Sequence, residues 1–143
     1  MRNSLQKRTW AEVSLDNISH NYRAIRAALP EGCRFLGVVK ADAYGHGAVA
    51  VARLLESEGA DYLAVSCLDE AMELRSAGIT MPLLILGHTP SEYTETLIDN
   101  DITQTVSCLA KAQEFSARAA ALGRRLRIHI KIDTGMSRLG FLC

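Results

Sequence analysis

The fold class this sequence predicts is α/β with a parallel sheet, and three observations lead to it. Five short, apolar, β-favouring runs recur along the 143 residues, and the loops between them carry stretches with helical spacing of their apolar positions. The runs end near Lys40, Cys67, Gly87, Ser107 and Asp133, at intervals of 27, 20, 20 and 26 residues. Each interval fits one strand, one helix and two short loops, so consecutive strands are expected to lie parallel with right-handed helical crossovers.

Before the first strand, residues 17–29 place Ile18, Tyr22, Ile25, Ala28 and Leu29 on one helical face, with Asp16 as the expected N-cap. "FLGVVK" (35–40) is the first strand, near-continuously apolar as in sheets buried on both faces, and residues 46–58 form the next helix, stopped by Gly59. "DYLAVSC" (61–67) is the second strand, followed by the helix "LDEAMELRSA" and its stop at Gly78. "PLLILG" (82–87) is the third, and Thr89, Pro90 and Ser91 supply a cap and a first-turn proline for "EYTETLID". "ITQTVS" (102–107) is the fourth, with Ser107 expected to cap the long helix that Gly123 ends, and "LRIHIKID" (126–133) is the fifth. Two architectures accommodate this order. Five strands complete an open doubly wound sheet, whereas an eight-stranded barrel needs about three more units, because such barrels run to about 250 residues. Length alone favours the open sheet.

Composition narrows the function classes. A hydrophobic share of 48% against 22% charged is the balance of a packed globular core. Sixteen basic and sixteen acidic residues cancel, and no basic cluster exceeds "GRRLR" at 123–127, which argues against nucleic acid as a partner. Cys33, Cys67, Cys108 and Cys143 lie far apart, without a C-x-x-C pair or a histidine at metal spacing, and are read as free, mostly buried thiols in a reducing compartment. The start, "MRNSLQKRTW", lacks an apolar signal region, and no stretch reaches the ~18 apolar residues of a membrane span. A cytoplasmic protein is expected, with no membrane role for this segment. His20, His46, His88 and His129 form neither an i, i+4 ligand pair nor a set with a nucleophile, so no metal site is expected.

The stretch "FLGVVKADAYGHG" (35–47) carries the chemistry. In either architecture ligands bind at the carboxyl ends of the parallel strands, and Lys40 stands at such an end. Strand-end lysines commonly snorkel to solvent over their apolar stems. Here the neighbourhood points further. An amine that condenses with a carbonyl works best when poorly hydrated, and Val38 and Val39 are apolar neighbours. Ala41, Ala43 and Gly45 leave room for a flat ring, Tyr44 offers a phenol donor, and the amides at the start of the following helix suit an anion. In "RIHIKID", alternation sets Ile128, Ile130 and Ile132 opposite His129, Lys131 and Asp133, so a lysine faces one side of the fifth strand and needs its charge paired or removed if that side is interior.

These stretches resemble the amino-terminal part of the alanine racemase family. "TWAEVSLDNISHNY" is similar to the family's opening strand and helix, "VVKADAYGHG" to its lysine motif, and "IHIKIDTGMSRLGF" to its second signature. The resemblance reverses the preference for an open sheet. It implies a parallel (β/α)8 barrel of the TIM type, with residues 1–143 as about its first five βα units, and with the rest of the barrel and a carboxy-terminal β domain absent. It also implies pyridoxal 5'-phosphate (PLP) as cofactor, interconversion of L- and D-alanine for cell-wall peptidoglycan, and a homodimeric parent protein. Lys40 matches the lysine that holds PLP covalently and serves as one of two acid/base groups. Tyr44 matches a tyrosine on the cofactor phosphate, and Leu86 a residue lining the cofactor pocket. Arg138 matches the arginine beside the cofactor's phenolic oxygen and the substrate carboxylate. Lys131 matches a lysine often carbamylated, which braces that arginine; pairing with Asp133 is the alternative.

Position 137 is Ser where the family more commonly has glycine, which bears on any left-handed backbone there. The family's second base, a tyrosine from the β domain of the partner, and the arginine facing the pyridine nitrogen have no counterpart in the chain, so residues 1–143 alone are expected to be inactive. A non-catalytic PLP carrier barrel and a racemase acting on serine are the alternatives.

Overall fold

The computed structural model describes residues 9–142; Cys143 and the basic start at 1–8 lie outside the described residues. Five strands form one parallel sheet in chain order: β1 (Leu36–Val38), β2 (Tyr62–Val65), β3 (Leu83–Ile85), β4 (Ile102–Val106) and β5 (Ile128–Ile130). The helices between and around them are α1 (Leu15–Ala28), α2 (Lys40–Gly45), α3 (Ala48–Ser57), α4 (Leu68–Ser76), α5 (Thr94–Asp99) and α6 (Leu109–Ala121). All five expected strands are present, with every neighbouring pair parallel.

Register sorts the side chains onto two faces. Val38 pairs with Ala64, Ala64 with Leu84 and Leu84 with Thr103, so these four share one face. The other face meets the helices. Leu63, Val65, Leu83, Ile85, Ile102 and Val106 bury there against Leu55, Leu74, Leu97 and Phe115. Burying each large aliphatic side chain stabilises by roughly 1.5–3 kcal/mol, so this layer accounts for most of the apolar driving force. Gly37 belongs to it: an added Cβ would stand 2.6 Å from Leu55 Cδ1, so that side chain would have to shift to admit one. On the opposite face Val38 is 42% exposed, while Ala64 and Leu84 are buried.

Several local expectations shift. The N-cap of α1 is Ser14, whose hydroxyl accepts from the Asn17 amide at 3.2 Å; Asp16 falls inside the first turn, where its charge suits the helix dipole. Residues 9–14, likened to an opening strand, take no regular secondary structure, and Trp10 is exposed. Cys108 rather than Ser107 occupies the cap position of α6, without a side-chain bond, and the thiols are not the mostly buried ones expected: Cys33 and Cys108 are exposed and Cys67 is half-buried. A 3-10 turn at Ser91–Tyr93 precedes α5, because Pro90 starts the chain before Thr94 closes the turn by donating to the Ser91 carbonyl. "RIHIKID" divides at Lys131 into β5 and a short β6 (Ile132–Asp133), which pairs with β7 (Phe141–Leu142).

Candidate functional site

The ends of the strands form one rim. Lys40 follows β1 by two residues, Ser66 follows β2, Leu86 follows β3, and Lys131 follows β5 directly. Thr105, in β4, is paired with His129. Leu86 and Lys131 line a common cleft with Thr105, Ser107, His88 and Leu139, so the structure brings together two residues that the sequence places 45 positions apart.

Lys40 opens α2, and α2 is unusual. Ala41, Asp42, Ala43 and Tyr44 all have φ between 51° and 54°, one turn of left-handed helix built without glycine. Left-handed backbone costs an L-residue roughly 1–2 kcal/mol, so surrounding bonds must hold the turn. Several do. Ala43 donates to the Val39 carbonyl at 2.9 Å, Gly47 to the Asp42 carbonyl at 3.0 Å, and the Asp42 side chain accepts from the Ala48 amide at 2.6 Å. That last bond corrects an expectation: the first amide of α3 already has an anionic partner in Asp42. Ala43 is buried and faces the core rather than a ligand. His46 is exposed, its Nδ1 2.9 Å from the Ala43 carbonyl.

Tight turning sets Tyr44 beside Lys40, with the ammonium nitrogen 5.9 Å from the ring centroid and the ring 64% exposed. Among the described residues no carboxylate lies within ion-pair distance of Lys40. An unclaimed primary amine at the strand ends, beside an exposed phenol, fits an aldehyde cofactor bearing a phosphate. Glu70 is the residue that sequence reasoning missed. Its carboxylate accepts from the amides of Ala41 and Ser66 and from the Ser66 hydroxyl. Burial pushes its carboxyl up, but the Ser66 and Ala41 amides, the Ser66 hydroxyl and the Lys40 charge together hold it below the usual carboxylate range. The available signal was an acidic residue three positions after the start of "CLDE", the spacing of a capping box.

Arg138 is exposed on the loop between β6 and β7. Asp133 organises that loop by accepting from the Gly135 amide at 3.0 Å and the Ser137 amide at 2.9 Å. The Ser137 and Gly135 amides, assisted by the Lys131 charge, hold the Asp133 carboxyl below its ordinary range. Gly140 must lack a side chain, since a Cβ would stand 2.6 Å from the Asp133 nitrogen. Ser137 has φ 54°, the left-handed backbone at which serine is strained. Ser137→Gly is therefore expected to stabilise by about 0.5–1 kcal/mol, read as a higher urea midpoint at unchanged slope. A lower midpoint would contradict the strain.

Residues 13–143 match the family described as alanine racemase, N-terminal domain. An alanine racemase of Desulfosudis oleivorans is 47% identical over 131 residues, covering 92% of this chain and 34% of that protein. Among solved structures, alanine racemase of Clostridium difficile 630 superimposes with a TM-score of 0.90 at 51% identity, over 96% of this chain and 36% of the other. A histidine racemase from Leuconostoc mesenteroides matches with a TM-score of 0.81 at 29% identity, over 90% of this chain and 34% of its own. The chain spans about a third of the length of the curated relatives it matches.

Proposed function

The chain belongs to the family of the alanine racemase N-terminal domain, and from that premise we propose that it is the amino-terminal part of the barrel of a PLP-dependent racemase acting on alanine. The observation that carries the reading is Lys40, an amine at the strand ends with no ion pair among the described residues, opening a left-handed turn beside Tyr44. PLP, when bound, makes the α-proton of an amino acid removable by accepting the electron pair left behind. Lys40 would hold the cofactor covalently and would serve to take or return the proton on one face of the α-carbon. Tyr44 would donate a hydrogen bond to the cofactor phosphate, and Leu86 would line the cofactor pocket. Arg138 would bind the substrate carboxylate and stand beside the cofactor's phenolic oxygen. Inversion needs a second acid/base group on the opposite face, and that group belongs to a part of the enzyme outside residues 1–143. The enzyme is read as a cytoplasmic homodimer supplying D-alanine for peptidoglycan; no helix among the described residues is long and apolar enough to cross a membrane.

Borohydride treatment of the full-length protein with PLP tests this reading. The label is expected on the peptide carrying Lys40, and equal labelling of Lys40→Ala on other lysines would defeat it. Substrate choice has a second candidate, since the fold match includes a histidine racemase. Racemisation of alanine, serine and histidine measured side by side separates them, with alanine expected fastest.

Lys131 is proposed to carry a carbamate that braces Arg138. A crystal structure of the full-length protein is expected to show a planar, branched end on Lys131 within about 2.7–3.2 Å of the guanidinium. An unmodified ammonium paired with Asp133 would refute it.

A further inference from the structure

Glu70 lies in the first turn of α4, yet its carboxylate reaches across two strand ends. Oε1 accepts from the Ala41 amide at 2.8 Å, and Oε2 accepts from the Ser66 amide at 2.7 Å and the Ser66 hydroxyl at 2.8 Å. Ala41 is the residue directly after Lys40 and the first of the four left-handed ones. Downstream, the turn is held by the bonds of Asp42 and Ala43. Upstream, the Val39 amide ties the chain to β2 through the Ala64 carbonyl at 2.9 Å, and two residues later Glu70 takes up the Ala41 amide. A turn this strained persists only where its surroundings over-determine it.

We propose that Glu70 is a positioning residue for Lys40: by clamping Ala41 to Ser66 it fixes the backbone from which the lysine amine reaches the cofactor. The inference rests on the proposed PLP-dependent role of Lys40. Its plain alternative is a helix cap. Glu70 is the third residue after the cap position Cys67, and a carboxylate there steadies α4 whatever the shape of the lysine turn. Two features favour the clamp. The bond to Ala41 lies outside α4 and its cap, and the carboxyl is kept ionised despite its burial by donors from both strand ends.

Glu70→Gln separates the two, because an amide cannot accept on both of its ends and must lose one anchor. In the PLP-loaded full-length protein, Glu70→Gln is expected to lower kcat about 10- to 100-fold, the scale of a small misplacement of a reacting group, with KM within about threefold. The visible circular dichroism of the bound cofactor should weaken, while the thermal midpoint stays near the wild-type value. Adding Ala41→Gly should recover part of kcat and of the dichroism, since glycine enters the left-handed region without a steric penalty. A helix cap predicts no such recovery. Wild-type kcat and dichroism in Glu70→Gln would overturn the proposal, as would a kcat loss that follows the thermal midpoint and ignores Ala41→Gly. Should Glu70→Gln not fold, Glu70→Asp, shorter by one methylene, is expected to show the same pattern at smaller size, and wild-type behaviour there also overturns it. If borohydride finds no label on Lys40 in the wild-type protein, the PLP reading fails separately. The clamp is then judged by amide hydrogen exchange, expected to quicken about tenfold at residues 41–44 in Glu70→Gln; unchanged exchange rejects it.

Discussion

Lys40→Ala in the full-length protein is expected to lower alanine racemisation by at least ~10²–10⁴-fold, the contribution of a single positioned acid/base group. The loss should exceed that range, because in the proposed role the same side chain also anchors the cofactor. Added PLP should not restore inversion, and α-deuterium exchange should fall for the enantiomer whose proton Lys40 faces. The fold itself should survive. Lys40 is half-buried at the rim, among the described residues it makes no ion pair, and the turn beyond it is held by backbone and carboxylate bonds. Retention of more than about a tenth of wild-type turnover by Lys40→Ala would remove the lysine from the reaction.

Arg75→Ala is expected to cost about 2–4 kcal/mol of stability without touching the rim. The guanidinium of Arg75, in the last turn of α4, donates to the carbonyls of Asn100, Ile79, Met81 and Asp101 at 2.8–3.1 Å. These four acceptors belong to the end of α5 and to the approaches to β3 and β4. Burial lowers the pKa of Arg75 and the charge of Glu56 offsets this in part, so the group is partly desolvated and its bonds are partly shielded from water. Hydrogen bonds from a charged donor contribute roughly 1.5–3 kcal/mol each, and water entering the gap returns part of the sum. Arg75→Lys keeps the charge but loses the planar fork, and should recover less than half of the loss. Arg53→Ala is the control. Arg53 is exposed and donates once, to Ala77 at 3.0 Å, so its loss should cost under about 1 kcal/mol by urea unfolding. Equal costs for the two arginines would show that the four-carbonyl arrangement contributes nothing special.

The strands were legible because a parallel strand covered on both faces must be apolar along its length, and "FLGVVK", "DYLAVSC" and "PLLILG" leave few alternatives. The site was legible in its residue types and less so in its shape. Of Ala41, Asp42, Ala43 and Tyr44 only Asp42 is of a type that tolerates left-handed backbone, and the glycines that permit it stand at 45 and 47; the turn is held by Glu70 and Asp42, which act from outside or across it. The break at Lys131 is likewise tertiary. Alternation runs unbroken through "IHIKID", and only the pairing of β6 with β7, with Gly140 against Asp133, ends the fifth strand early. Both Asp16 and Ser14 are of types that suit the cap of α1, and the one used is Ser14, whose hydroxyl accepts from the Asn17 amide.

In the sheet, spatial order equals order along the chain, with β1 beside β2, β2 beside β3, β3 beside β4 and β4 beside β5. During synthesis, each of β2 to β5 therefore finds its partner already outside the ribosome, one helix earlier, and no pairing among these five strands waits for a distant segment. At about 5–20 residues per second, a βα unit leaves the exit tunnel every few seconds, far longer than the microseconds a helix or a short loop needs to form. This part of the sheet can thus grow, with β1 as one fixed edge, by addition at the other edge while translation continues. A ribosome pause just after β5 would hold five paired strands with that edge open, which makes codon usage beyond Asp133 a lever on the yield of folded enzyme.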